Sequence, residues 1–240
     1  MTRKFDLEKH LAQEHHNLGH GTMLRDFILG GQDGVVNVLG ILLGVAAATL
    51  DNRIVIIAGL AATFAESISM AAVAYTSTKA ETDFYYGEYH KEKTEIEKKS
   101  PTEVAEVREV YRRKGFSGKL LEQIVKKISS NKKIMLDFMM TEELNLGKPN
   151  RNPLTSAILV GFSAIVGSFI PLVGFFFLPP QQAMVFAVAV SAAVLFVAGA
   201  IKAKLTIGSW WKTGAEMMLV GMAAALVGYA VGALFGASGG

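Results

Sequence analysis

Apolar residues in this chain are gathered into long blocks, and charged residues lie almost entirely between the blocks. A soluble domain would interleave the two at a helical or strand period. About 20 apolar helical residues cross the hydrocarbon core of a bilayer. The pattern therefore predicts an all-α polytopic membrane protein with five transmembrane helices, at about 27–49, 54–78, 154–178, 181–204 and 213–236.

The links between these blocks divide the chain. Asp51-Asn52-Arg53 and Pro179-Pro180 are short enough to force tight hairpins, whereas a charged insert separates spans two and three. The predicted segments are a polar N-terminus (1–26), spans one and two (27–78), the helical insert (79–152) and spans three to five (153–240).

The distribution of Lys and Arg predicts the orientation. With five spans, Met1–Asp26, Lys79–Asn152 and Lys202–Lys212 share one side and carry 23 of the 24 basic residues, while Arg53 lies opposite. The positive-inside rule then places the N-terminus and the insert in the cytosol and the C-terminus outside.

The insert is predicted to be a three-helix domain that span two enters without a break. Ser100, Pro101 and Glu103 are typical of a helix start, as N-cap, N1 and N3 residues. Gly115 and Gly118 would end that helix. Further helices are expected at about 117–129 and 131–146.

Glycines spaced four apart occur in two of the spans, the first and the fifth. Such pairs let helix backbones approach closely, and they suit either packing within one bundle or homodimerisation. The pairs are Gly30/Gly34, Gly40/Gly44, Gly228/Gly232 and Gly232/Gly236.

The amino-acid composition excludes some kinds of site and partner. The chain has no cysteine, which excludes thiolate sites and disulfides. Its net charge of +3 is explained by topology, so no nucleic-acid partner is expected. The N-terminus has no apolar signal region, and we expect a prokaryotic plasma membrane.

Three carboxylates lie inside predicted spans: Asp33, Glu66 and Glu216. A charge at the bilayer centre costs about 3 kcal/mol or more, so these residues indicate an ion pathway, or else polar contacts between helices. Met70 lies one turn after Glu66 on the same helix face. A carboxylate and a thioether together suit a transition metal such as Fe²⁺.

The insert repeats carboxylates at i,i+3, with Glu92/Glu95 and Glu103/Glu106, and Glu142/Glu143 follow Met139 and Met140. On adjacent helices such pairs would converge into an oxygen-rich metal cluster. A solvated surface of alternating Lys and Glu is the alternative. His16 and His20, at i,i+4, are a further candidate metal pair.

Several of these motifs together resemble the vacuolar iron transporter family, also called CCC1-like. The resemblance runs from about Arg25 to the C-terminus and depends on the order and spacing of Asp33-Gly34, Ile68-Ser69-Met70, and Leu136 to Met140 with Glu143.

The resemblance implies a homodimeric transporter that moves Fe²⁺, and in some members Mn²⁺, out of the cytosol, with proton exchange in at least some members. It implies no enzyme activity and no tightly bound cofactor. It also implies that the insert is a cytosolic metal-binding domain and that the membrane pathway uses Asp33 and Met70. The implied insert ligands are Glu92, Glu95, Glu103, Glu106, Met139, Met140 and Glu143.

This chain departs from the family pattern at one position. Plant members carry a carboxylate about two turns before the Met, where this chain has Ala62, and Glu66 lies one turn before the Met instead. The assignment of Glu66 to the pathway therefore depends on its charge within the span. Glu216 would support the cytosolic mouth.

Two other functions use the same residues. A membrane-anchored di-iron oxidase of the ferritin-like kind would carry Glu-x-x-His motifs, and the sequence contains none. A metal-sensing protein, anchored by its spans, would leave Asp33 and Glu66 without a role.

Overall fold

The chain folds into helices joined by short links. The structure, a computed structural model, describes residues 7–98, 101–205 and 208–237, with side chains described from residue 23 to residue 236 within those ranges. A π-helical turn, Met139–Glu143, follows α5, and a 3-10 turn, Val173–Phe176, follows α6. The α-helices are α1 (Leu7–Thr49), α2 (Asn52–Glu97), α3 (Pro101–Arg113), α4 (Gly118–Ser129), α5 (Lys132–Phe138), α6 (Pro153–Leu172), α7 (Pro180–Leu205) and α8 (Trp210–Ala237).

Five segments in the described residues are long and apolar enough to cross a membrane, in agreement with the predicted spans. Many large apolar side chains on these helices are exposed, such as Ile68 at 71% and Phe177 at 81%. Water would not tolerate so much exposed apolar surface, whereas hydrocarbon covers it without cost. The segments are Met23–Thr49, Asn52–Glu97, Pro153–Phe176, Pro180–Leu205 and Trp210–Gly236.

The chain forms two compact units, and the boundary between them lies inside α2. The membrane unit comprises Met1–Tyr75 and Pro153–Gly240, and the insert unit comprises Thr76–Asn152. Each unit has its own hydrophobic core. The candidate chemistry is described below for each unit in turn.

Helix α1 is the centre of the membrane unit and packs against α6, α7 and α8. Its residues Val38, Leu39, Leu42 and Ala46 are fully buried. The predicted glycine pairs make this packing possible. A Cβ atom on Gly232 would overlap the carbonyl oxygen of Gly44.

The other glycines of the predicted pairs are used in the same way. The backbone of α1 approaches α6 at Gly30 and Gly34, and it approaches α8 at Gly40 and Gly44. These glycines therefore serve helix packing within one chain, which is one of the two uses that the sequence left open.

We expect Gly232→Ala to destabilise the membrane unit by about 1–3 kcal/mol, because overpacking forces the backbones of α1 and α8 apart. Thermal unfolding in detergent measures this as a lower midpoint. Gly87→Ala is the matched control, since nothing lies within 4 Å of a Cβ at Gly87 in α2. There the better helix propensity of Ala should raise stability slightly. Equal midpoints for the two variants would contradict the close approach.

The short link between α1 and α2 is fixed by two polar side chains. The Asp51 carboxylate accepts a 2.8 Å hydrogen bond from the Arg53 backbone N–H, which caps α2. The Asn52 amide donates to the carbonyl oxygens of Phe175 (3.0 Å) and Leu178 (2.6 Å). The first hairpin is thereby attached to the turn between α6 and α7.

The insert unit is built around the amphipathic helix α4. Leu121, Val125 and Ile128 repeat at helical spacing and are buried against the fully buried Val107 of α3. Tyr111 stacks on Phe138 with ring centres 5.5 Å apart. Outside this core, Arg108 binds Glu122 with both guanidinium contacts at 2.9–3.0 Å and so joins α3 to α4.

Some predicted boundaries differ from the structure. Helix α1 begins at Leu7, twenty residues before the first apolar block, because no proline interrupts the polar segment. The helix expected at 131–146 is divided into α5 and the π-helical turn. Gly115 and Gly118 do break the insert, with φ values of 93° and 60°. Ser100 and the side chains of His16 and His20 lie outside the described residues.

Candidate functional site

The insert unit brings together the carboxylates that the sequence singled out. Glu92 and Glu95 lie one turn apart near the end of α2, and Glu103 and Glu106 lie one turn apart at the start of α3. Residues spaced i,i+3 share a helix face. Each helix therefore presents a pair, and the π-helical turn adds Glu143.

Three of these side chains already have the geometry of a metal site. One carboxylate oxygen from each of Glu92, Glu95 and Glu103 lies within 4.8 Å of the other two. Glu92 and Glu103 are only 4% and 3% exposed. The Oε2 atom of Glu103 is buried without a hydrogen-bond partner. A buried acceptor of this kind is costly unless a proton or cation occupies the site.

The remaining two carboxylates act on the same cluster. Burial, followed by the charges of Glu106 and Glu92, raises the pKa of Glu103 to about 7. The pKa of Glu143 is also raised to about 7, first by burial and then by the charges of Glu106 and Glu92. Two like charges about 4 Å apart repel by about 4 kcal/mol at an effective dielectric of 20. The cluster therefore favours uptake of positive charge.

Basic groups compensate the cluster only in part. The positive charge of Lys91 lowers the pKa of Glu143 and so offsets part of the increase. The Lys91 ammonium group itself lies 3.4 Å from the Glu88 carboxylate. Glu142, which the resemblance does not include among the ligands, forms an ion pair with Lys114 instead. The π-helical turn thus sends two adjacent carboxylates to different surroundings, and only Glu143 acts on the cluster.

Met139 and Met140 lie in the apolar core of the insert unit, with 0% and 2% exposure. A thioether fills such a core as an ordinary apolar side chain, and it is also a soft metal ligand. Met140 additionally lines a cavity of about 620 Å³ with Tyr85, Tyr89 and Asp137. Their role as sulfur ligands stays a prediction from the resemblance.

The membrane unit pairs two of its intramembrane carboxylates. Glu66 of α2 lies within hydrogen-bonding distance of the Asp33 carboxyl group of α1. One Glu66 oxygen also accepts a 2.5 Å hydrogen bond from the Asn37 amide. Both acids are half-buried. Two carboxyl groups in contact need a shared proton or a cation between them, and either can be supplied by an ion pathway.

Asn37 is a member of this group that the sequence interpretation missed. It lies four residues after Asp33, so the two side chains share one face of α1. That spacing, together with a polar amide in an otherwise apolar block, was a signal the sequence contained. The glycines around Asp33 serve packing, because Gly34 lies against the Ala164 carbonyl of α6.

The other predicted pathway residues lie apart from this contact. Met70 is half-buried one turn after Glu66, while Glu216 is exposed near the start of α8. Asp33 and Asn37 are the polar side chains that act on Glu66 in the described residues. Asp26, which the sequence assigned to the polar N-terminal segment, is buried and accepts a 2.7 Å hydrogen bond from Ser156.

The chain is similar to known proteins over most of its length. The family model described as the VIT family matches residues 24–233. Vacuolar iron transporter 1 of Tulipa gesneriana is 32% identical over 93% of this chain and 92% of its own length. The vacuolar iron transporter of Centaurea cyanus is 35% identical over 83% of each chain.

A more distant relative is known from yeast. Protein CCC1 of Saccharomyces cerevisiae is 29% identical over 85% of this chain and 66% of its own length. The matches cover both the membrane unit and the insert unit. The chain belongs to the VIT family, which is a family of transporters and not of enzymes.

Proposed function

We propose that this protein transports Fe²⁺ across a membrane, with Mn²⁺ as a second possible substrate. The observation that carries the proposal is the contact between Asp33 and Glu66 inside two spans. A sensor anchored in the bilayer has no need of paired acids at that depth. The names of the Tulipa and Centaurea relatives, both vacuolar iron transporters, support iron as the cargo.

The insert unit collects the ion in this proposal. Its converging carboxylates supply oxygen ligands, and Met139 and Met140 would add sulfur, a combination that suits Fe²⁺ better than Mg²⁺ or Ca²⁺. The ion then passes to Met70, Glu66 and Asp33. On the far side of the membrane, protons replace the ion on the two acids. These protons are released into the cytosol when the next ion binds, which makes the protein an antiporter.

The orientation follows from the distribution of basic residues. The insert unit carries most of the Lys and Arg, which places it in the cytosol, so that transport exports metal from the cytosol. We also propose that the transporter is a homodimer. The membrane is a prokaryotic plasma membrane in our proposal, although the relatives named above are vacuolar proteins of plants.

Uptake into sealed proteoliposomes tests the function directly. Purified protein is reconstituted, a proton gradient is imposed, and internal Fe²⁺ and Mn²⁺ are followed with a trapped fluorescent indicator. We expect metal flux that increases with the gradient and a matching movement of protons. If the protein binds metal but produces no flux above empty liposomes, it is a membrane-anchored metal sensor or storage protein.

The pH should control metal binding by the insert. The pKa values of Glu103 and Glu143 are raised to about 7 from 4.5. Folding therefore favours their protonated forms, and the metal-free protein loses stability as the pH rises from about 4.5 to about 7. Added Mn²⁺ should raise the thermal midpoint strongly at about pH 8 and only slightly at about pH 5.5, where protons already compensate the cluster.

Differential scanning fluorimetry in detergent at several pH values measures this effect. Mg²⁺ at the same concentration controls for general ionic screening. A shift of the midpoint by Mn²⁺ that is independent of pH would contradict binding at these carboxylates.

A further inference from the structure

Asn37 is a polar side chain in the apolar part of α1 that the proposed transport steps do not use. It lines a cavity of about 590 Å³ between α1 and α8, and the other side chains along that cavity are apolar except for Thr49. Thr49 is satisfied within its own helix, since its hydroxyl donates to the Val45 carbonyl oxygen at 3.0 Å. The Asn37 amide donates instead across to α2, to the Glu66 carboxylate.

The Glu66 carboxyl group lies between two polar side chains of α1, and this position indicates what the hydrogen bond from Asn37 does. Asp33 and Asn37 are one helical turn apart, and the Glu66 carboxyl group contacts both. A glutamate has three rotatable bonds to its carboxylate, and holding it in one rotamer costs conformational entropy. The Asn37 N–H offsets that cost and brings no charge of its own to the two acids.

An amide between two membrane helices can also be a purely structural contact. Here the amide is not the sole link between α2 and its neighbours, because Gly59 lies against Leu42 of α1 and Gly161 of α6 lies against Ala71. The amide is directed at the one carboxylate that contacts Asp33. That choice of partner favours a role in arranging the acids over a role in holding the helices.

We propose that Asn37 is a positioning residue that holds the Glu66 carboxylate against Asp33, so that the two acids act as a single binding site for a divalent cation. The inference rests on the proposed transport function and extends it. In this chain Ala62 lies two turns before Met70, and Glu66 lies one turn before it. The hydrogen bond from Asn37 explains how Glu66 is placed to serve as the membrane acid.

Kinetics of Fe²⁺ uptake by proteoliposomes test the inference. We expect Asn37→Ala to raise the KM by about tenfold, the equivalent of losing one hydrogen bond to a charged group, with a smaller change in kcat. Asn37→Gln keeps the amide donor and should recover part of the loss. Thr49→Ala, in the same cavity, should leave the KM unchanged. An Asn37→Ala protein with the KM of the intact protein overturns the proposal.

A double-mutant cycle on Mn²⁺ binding separates positioning from a general effect on the fold. Free Mn²⁺ is counted by electron paramagnetic resonance in a Glu103→Gln background, in which the insert site is weakened. Asn37→Ala should weaken binding about tenfold when Glu66 is present and should have no further effect in a Glu66→Ala protein. Equal losses in both backgrounds would overturn the inference.

The two experiments also test the positioning role of Asn37 separately from the proposed transport function. If the intact protein carries no metal into liposomes, transport is wrong, and the Mn²⁺ binding cycle still decides whether Asn37 positions Glu66. If the intact protein transports and the cycle shows no coupling, transport stands and the positioning role is wrong.

Discussion

Replacing Asp33 by Asn should reduce Fe²⁺ flux through the protein by about tenfold or more. The substitution keeps the size and shape of the side chain, so the close approach of α1 to α6 at Gly30 and Gly34 is preserved. It removes one of the two acids that contact each other inside the spans. A divalent cation between Asp33 and Glu66 then loses a charged ligand. In a medium of low dielectric, that loss should weaken binding of the cation by about tenfold or more.

The measurement is the initial rate of uptake into proteoliposomes at an Fe²⁺ concentration well below the KM of the intact protein, normalised to the amount of folded protein. Asp51→Asn is the matched control. Asp51 is exposed in the link between α1 and α2, and its oxygen caps α2, a role that Asn fills equally well. We expect the control to transport at the intact rate. Full flux through the Asp33→Asn protein would show that the ion takes another route.

The membrane-spanning part of the fold could be predicted because hydrocarbon leaves a chain few choices. Each predicted span lies within or close to a helix of the structure, and the short links follow directly from their lengths. The start of α1 could not be predicted from hydropathy, because Leu7 to Asp26 is polar and hydropathy identifies only the apolar part of a helix.

Some features of the candidate sites could likewise be predicted from the sequence, and others could not. Carboxylates at i,i+3 on neighbouring helices predicted a cluster, and Glu92, Glu95 and Glu103 do converge. The resemblance named Glu143 and not Glu142 as a ligand, but the ion pair of Glu142 with Lys114 joins residues 28 positions apart, and no spacing within one helix predicts it. The contact of Glu66 with Asp33 depends on how α1 and α2 lie against each other, and the spacing within one helix contains no information about that.

Replacing Glu103 by Gln should change the insert unit in two opposite directions. The metal-free protein should become more stable at about pH 8, because a buried carboxylate with an unpartnered oxygen is removed from the neighbourhood of Glu92, Glu95, Glu106 and Glu143. The affinity for Mn²⁺ should fall by about tenfold or more, since an amide is a weaker ligand than a carboxylate and the cluster loses one charge. An acidic surface that binds no metal would show the first effect without the second.

The control for this prediction lies on the same helix. Glu109 of α3 is held by Arg112 at 2.8 Å and by Arg113 at 2.9 Å, so Glu109→Gln removes a charge that already has its partners. Exposed ion pairs of this kind contribute little to stability because solvent screens them, and the substitution should lower the thermal midpoint slightly or leave it unchanged, with no effect on Mn²⁺ affinity. Thermal midpoints with and without Mn²⁺, together with isothermal titration, distinguish the two variants. If Glu103→Gln and Glu109→Gln behave alike, the insert carboxylates form a solvated surface, and the metal must be bound by the membrane unit alone.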